Sequence, residues 1–321
     1  MQTRRTFLTR SGKAALAVGA MGVFGCNRTA NQQLNTTSID DIDPKSLFFD
    51  ISLAQWSLNK AFFSGKLDNL DFAAKAKNDF KIDAIEYVNQ FFIDKAEDKS
   101  YLAQMKQRAD DNGVKSLLIM IDREGGLGDT NEMARKEAVE KHYKWVDAAN
   151  YLGCHSIRVN TYGEGSSEAV AAAAVKSLST LSEYGKSADI NVIVENHGGY
   201  SSDGQWLSNV MATVNMDNCG TLPDFGNFCM KRAKGECADI YDRYKGVEEL
   251  MDYAKAVSAK ANKFSANGDE EEMDYMRLMK IVKDHGYRGY VGIEYEGRGL
   301  SADEGIRATK NLLLRVGKAL S

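Results

Sequence analysis

The run Val192-Ile193-Val194-Glu195-Asn196-His197-Gly198-Gly199 decides how this chain is read. A short, β-branched apolar run that stops on a carboxylate, an amide, an imidazole and two glycines is how a buried parallel strand delivers polar groups to the rim of a sheet. Two later stretches end the same way, Leu222-Pro223-Asp224-Phe225-Gly226-Asn227 and Tyr290-Val291-Gly292-Ile293-Glu294-Tyr295-Glu296-Gly297. Three acids at the carboxyl ends of three separate strands point to one shared divalent cation. Unpaired carboxylates crowded in a low-dielectric site would otherwise repel one another and take up protons.

Working outward, short apolar runs alternate with segments of helical period from residue 49 onward. The pattern predicts strands over 51–56, 82–88, 115–121, 156–160, 191–196, 220–224, 256–260 and 289–295. Between and after them it predicts helices over 67–79, 97–112, 131–152, 167–188, 204–215, 240–255, 270–285 and 302–320. Eight strand-then-helix units in about 270 residues match an α/β fold of the single (β/α)8 TIM-barrel type. The alternative, an open doubly wound sheet, is disfavoured because the first turn, residues 56–63, has no glycine-rich phosphate fingerprint.

In such a barrel the strand carboxyl ends form the mouth where chemistry occurs. Collecting those ends brings together Gln55, Trp56, Glu86, Asp122, Arg158, Asn160, Glu195, His197, Asp224, Asn227, Lys260, Asn262, Glu294 and Glu296. Glu195, Asp224 and Glu294 form the expected metal set. All-oxygen ligation favours Mn²⁺ or Mg²⁺ over Co²⁺ or Zn²⁺. The competing structural reading makes the same acids a salt-bridge network with Arg158 and Lys260. Gln55, Trp56, Glu86, Arg158, Asn160, His197, Asn227 and Glu296 are the expected substrate-binding groups, a polar lining suited to a hydroxyl-rich molecule. Of the four histidines, His142 and His285 fall on helices and His155 opens a strand at the opposite, stabilising face, which leaves His197 at the mouth.

Composition narrows the function further. Net charge is −4 and the sequence pI is near 5.7, with no basic stripe to neutralise phosphates, so a nucleic-acid surface is not expected. With two prolines, Pro44 and Pro223, no proline-rich hinge divides the chain.

Residues 1–26 read as an address. Thr3-Arg4-Arg5-Thr6-Phe7-Leu8 is a twin-arginine signal, an apolar run over 14–24 follows, and Val23-Phe24-Gly25-Cys26 resembles a bacterial lipobox. The expectation is export to the periplasm with a lipid on Cys26 as the membrane anchor; soluble release is the alternative. Residues 27–47 read as a flexible tether and 48–321 as the barrel. A protein folded before export need not use disulfides, so Cys154, Cys219, Cys229 and Cys237 are expected to be thiols. A bridge between Cys229 and Cys237, which share one loop, is the alternative.

The motifs "VENHGG", "LPDFGNF" and "GIEYEG" resemble the xylose-isomerase-like TIM-barrel family of sugar isomerases and epimerases, over residues 50–320. The resemblance implies a divalent ion held by Glu195, Asp224 and Glu294, and proton shuttling by Glu195 and Glu294. The chain departs from the family at Ser258, where a histidine ligand is expected, and at Asn227, where many members have a second histidine. Water, His197 or Asn262 is then left as the fourth ligand. Lys260 becomes a candidate catalytic group that stabilises an enediolate or donates a proton; its alternative is a barrel-closing ion pair. The resulting expectation is a metal-dependent enzyme that removes a proton next to a carbonyl of a non-phosphorylated sugar or keto-sugar. The rivals are a keto-glycoside lyase or deglycosidase using the same step and a non-catalytic carbohydrate-binding barrel, with homo-oligomerisation left open. An apurinic endonuclease conflicts with the acidic pI, the export signal and the scarcity of histidine.

Overall fold

The computed structural model describes residues 42–321; the twin-arginine stretch, Cys26 and the tether up to residue 41 lie outside the described residues. All eight expected strands are present: β1 Asp50–Ala54, β2 Ala84–Val88, β3 Lys115–Met120, β4 Ser156–Val159, β5 Asn191–Glu195, β6 Cys219–Leu222, β9 Val257–Ala261 and β10 Tyr290–Tyr295. They form one parallel sheet in the order β6-β5-β4-β3-β2-β1-β10-β9. Parallel bridges at Thr221/Ala254 and Asp224/Ser258 bring the two edges together and curl the sheet into the barrel. Among the described residues the helices are α1 Asn59–Phe63, α2 Phe72–Phe80, α3 Lys99–Asp111, α4 Glu132–Leu152, α5 Ser167–Ser187, α6 Gly204–Val214, α7 Arg243–Met251, α8 Tyr275–Asp284 and α9 Ala302–Leu320.

Helix starts follow from side chains that accept the first free N–H groups: Asp98 for α3, Asn131 for α4, Asp203 for α6, Asp274 for α8, and a Ser301/Glu304 capping box for α9. Two helices begin later than expected. Residues 69–71 form a tight turn capped by Asp68 before α2. Glu270 does not open α8; its carboxylate accepts the N–H groups of Asn262, Lys263 and Glu272. Part of the expected tether is also structured, since Ile42 is buried and Leu47 packs on the core.

The largest departure follows β6. Where a loop and the start of a helix were expected, β7 Cys229–Ala233 and β8 Glu236–Ile240 form an exposed antiparallel hairpin. Its two-residue turn, Lys234-Gly235, has positive φ at both positions, the geometry that matches strand twist. Cys229 and Cys237 are joined by a disulfide across this hairpin, which corrects the expectation of free thiols. Cys154 and Cys219 are buried thiols as expected.

Inside the barrel, Ala54, Val88, Leu118, Met120, Ile193, Leu222 and Ala256 form an apolar plug. Side chains two or four residues further along the same chain directions rise above it. These are Glu195 on β5, Asp224 just past β6, and Ser258 and Lys260 on β9, so strand periodicity alone gathers the polar groups in one layer.

Candidate active site and metal centre

Register explains most of the contacts in this layer. Lys260 and Glu294 are cross-strand partners on β9 and β10, and the Lys260 Nζ lies 2.7 Å from Glu294 Oε1. The same ammonium is 3.4 Å from Glu296 Oε1 and 3.9 Å from Asp224 Oδ2. Asp224 and Ser258 are bridge partners, and the Ser258 hydroxyl donates to Asp224 Oδ2 at 2.6 Å and reaches Glu294 Oε2 at 3.4 Å. The other Asp224 oxygen accepts the N–H groups of Gly226 and Asn227 at 2.9 and 2.8 Å, an Asx-turn that aims Oδ2 at the barrel axis. Asn196 pairs its amide with the Asp224 backbone and so ties β5 to β6 at the rim.

Glu195 is held from two sides. Asn227 Nδ2 donates to its Oε1 at 2.9 Å, and Arg158 Nε sits 2.9 Å from its Oε2. That second contact is an ion pair off the hydrogen-bond line, so both atoms lack an aligned partner. Arg158 is anchored by Asp122 Oδ1 at 2.9 Å, which also accepts from Asn160 Nδ2 at 2.9 Å. Glu195, Asp224 and Glu294 each offer one oxygen within 4.8 Å of the others, and all three are buried. His197 is not part of that cluster; its Nδ1 is taken by the Tyr162 hydroxyl.

The expected substrate groups divide. Arg158, Asn227 and Glu296 converge on the acids, and Trp56 joins them by donating from Nε1 to Glu296. Asn160 keeps a buried Oδ1 with no partner. Gln55 does not join them: its amide bridges Asn69 and the Val88 N–H at 2.7 and 2.8 Å, so both ends are occupied by the fold. Glu86 lies beneath the mouth, where its Oε1 accepts from Ser52 at 2.6 Å and its Oε2 has no partner. Gly292 makes room for it, since a Cβ there would come within 2.5 Å of the carboxylate. Asn262 contributes its backbone N–H to Glu270. Sequence reading passed over Ser258 as a positive element, over Asp122 as the anchor of Arg158, and over Tyr162. Strand-end position brings Asp122 to the mouth but does not reveal its pairing with Arg158, and Tyr162, inside a loop, carries no such signal.

The electrostatics reflect too much buried negative charge. Burial pushes Glu195 up to about 7 against the pull of Arg158, and the nearby Glu294 adds to the rise. Burial likewise pushes Asp224 up to about 7, against Lys260. Burial also acts to raise Glu294, but the adjacent Lys260 ammonium wins and holds it below the usual carboxylate range. Asp122 falls to about 2 because Arg158 outweighs its burial. Burial works against the charged form of Lys260, yet its acidic neighbours hold it well above its ordinary value. Burial, then Arg158 and Lys260, lower His197.

A divalent ion fits this donor set on the structure's own terms. Three buried carboxylates at three strand ends converge, Glu195 Oε2 lacks a hydrogen bond, and burial raises two of the three acids despite Arg158 and Lys260.

The model of the family described as "Xylose isomerase-like TIM barrel" matches residues 72–314. The chain belongs to that family. No curated protein sequence matches it. Solved structures similar to it include the IOLI protein with a bound zinc atom, at TM-score 0.66 and 14% identity over 84% of this chain and 99% of that one. A D-tagatose 3-epimerase-like protein has TM-score 0.66 and 16% identity, over 85% of this chain and 100% of that chain. The 3-keto-D-glucoside 4-epimerase YcjR from E. coli has TM-score 0.58 and 12% identity, over 84% of this chain and 99% of that chain. At these identities the likeness establishes the fold, and chemistry has to come from the site.

Proposed function

We propose that this member of the xylose isomerase-like family is an exported, divalent-metal-dependent isomerase or epimerase. It moves a proton at the carbon next to a carbonyl of a non-phosphorylated sugar or keto-sugar. The observation that carries the reading is the meeting of Glu195, Asp224 and Glu294 within 4.8 Å at the barrel mouth, beside a buried ammonium and guanidinium. Similar solved structures, a D-tagatose 3-epimerase-like protein and a 3-keto-D-glucoside 4-epimerase, support carbohydrate as the substrate class.

Glu195, Asp224 and Glu294 would hold the ion, which when bound polarises a carbonyl as a Lewis acid. The chain's own groups then divide the proton work. Glu294, kept ionised by Lys260, is suited to take a proton from carbon. Glu195, directed by Asn227 and Arg158, is the second carboxyl at the site and is suited to return one. Lys260 stabilises negative charge that develops on the substrate oxygen. Asn227 and Arg158 fix the direction of Glu195, and Asp122 fixes Arg158. The mixed aromatic and polar rim, with Trp56 stacked on Phe91 and bound to Glu296, gives a pyranose ring an apolar face and hydroxyl partners. The stretch Thr3–Leu8, read as a twin-arginine signal, and Cys26, read as a lipid-bearing cysteine, support export to the periplasm with the protein lipid-anchored or released.

The test is solvent exchange. Purified protein with Mn²⁺ in D₂O is given keto-sugars and 3-keto-glycosides, and deuterium at the carbon beside the carbonyl is followed together with product stereochemistry. Incorporation with an epimer or isomer as product is expected, falling at least about 100-fold in Glu195→Gln and Glu294→Gln. Release of an aglycone without epimer identifies a lyase. Ligand binding with no exchange on any compound overturns the enzymatic reading.

A further inference from the structure

Beside the carboxylate cluster lies a second cavity, of about 440 Å³, which the proton-transfer chemistry does not use. Its walls come from the loop after β4 (Thr161, Tyr162), the loop after β5 (Gly199, Tyr200) and the disulfide-bonded hairpin (Lys231, Asp239). Tyr162, in its wall, links it to the mouth through His197. The Tyr162 hydroxyl contacts both Nδ1 and the carbonyl of His197, two residues beyond Glu195.

Several independent features make this a built site. Thr161 is 4% exposed and closes the inner wall of the cavity. Tyr162 and Tyr200 are 45% and 38% exposed, and both line the cavity. Tyr200 is also rigid: it stacks on Trp206 with ring centres 5.9 Å apart, and its hydroxyl donates to the Gly165 carbonyl. Gly198 and Gly199 adopt positive φ, with nothing within 4 Å of where a Cβ would stand, which leaves bare backbone beside the cavity. Across the hairpin, Lys231 pairs in register with Asp239, so a cation and an anion edge the cavity together.

This chemistry selects its ligand. Ring faces with hydroxyl, amide and balanced charged partners suit an uncharged polyhydroxylated ring. A phosphate or uronate would need clustered cations, and here one lysine stands with Asp239 and Asp203. We propose that the cavity is a second sugar subsite that holds the glycosyl unit attached to the reacting sugar, so that the substrate class is a neutral glycoside of at least two units. This rests on the reading of the carboxylate cluster as the place where the first sugar reacts. The disulfide hairpin then forms the outer wall of the subsite, placed by its position directly after the Asp224 turn.

The experiment is calorimetric titration of the purified full chain with glucose, galactose and xylose, and with cellobiose, maltose, laminaribiose, lactose and xylobiose. At least one disaccharide is expected to bind ten-fold or more tightly than its parent monosaccharides. That gain should be lost in Tyr200→Ala and fall at least three-fold in Lys231→Met, with monosaccharide affinity unchanged in both. Lys231→Met keeps the length of an exposed hairpin side chain, so it tests the charged edge without disturbing the stack on Trp206. The proposal is overturned if no disaccharide exceeds its monosaccharides three-fold, absence of all binding included, or if the variants weaken both classes equally. Exchange on free keto-sugars without a disaccharide preference would remove the subsite and leave the reaction standing. Disaccharide binding through Tyr200 and Lys231 without exchange would do the reverse.

Discussion

Glu86→Gln should destabilise the protein slightly, by about 1 kcal/mol, near pH 5 and stabilise it at alkaline pH. The Glu86 carboxyl is 1% exposed, has one oxygen without a partner, and burial pushes it from 4.5 up to about 7, with Glu294 and Glu195 adding to the rise and Ser52 and Arg158 opposing it. The sign follows from linkage. A carboxyl whose proton is held more tightly in the fold than in the unfolded chain contributes stability that is fully present below pH 4.5, is lost as pH rises through 7, and changes no further above that. Between pH 5 and 8.5 the loss amounts to about 2.5 kcal/mol. Glutamine keeps the shape and the acceptor for Ser52 and carries no ionisation, but it places a second N–H where Oε2 has no partner, offsetting about 1 kcal/mol at all pH values. The difference in Tm between variant and parent should therefore swing by about 5 °C towards the variant from pH 5 to 8.5. Thermal unfolding with EDTA, in matched buffers, measures it. A difference that stays constant across this range would refute a neutral Glu86 and the charge balance drawn around it.

Lys260→Met removes the ammonium that lies 2.7 Å from Glu294 and 3.9 Å from Asp224, so calorimetry should find Mn²⁺ bound at least about ten-fold more tightly while exchange activity falls. Unchanged affinity would mean that the lysine does not share the acids with the ion. Reduction of the Cys229–Cys237 disulfide, which staples an exposed hairpin, should leave the Tm within about 2 °C of the oxidised protein, with faster amide exchange confined to residues 229–240. A larger loss of Tm, or faster exchange in β5 or β6, would show that the hairpin supports the barrel.

The barrel was legible because each of its strands is an apolar run bounded by polar turns, a pattern imposed by burial on both faces. The convergence of Glu195, Asp224 and Glu294 was legible for the same reason, since strand ends share one mouth. What escaped is what periodicity does not encode. The hairpin over 229–240 is polar and exposed on both faces, so it carries no alternation, and Lys234-Gly235 is a weaker turn signal than Asn-Gly. Gln55 stands at a strand end like the others, but its side chain spans to Asn69 and Val88, a matter of tertiary reach. Glu86 has the right parity for the mouth and is drawn below it by Ser52 and the space over Gly292. Ser258 read as a missing ligand; in three dimensions it is a hydroxyl that orients Asp224.

Anomalous diffraction from crystals grown with Mn²⁺ bears most directly on the site. One peak is expected, bonded to oxygens of Glu195, Asp224 and Glu294, and it should vanish in Asp224→Asn. No peak among these three side chains, or one held elsewhere with the Lys260 ammonium still seated between the acids, would contradict a metal-dependent reaction at this mouth.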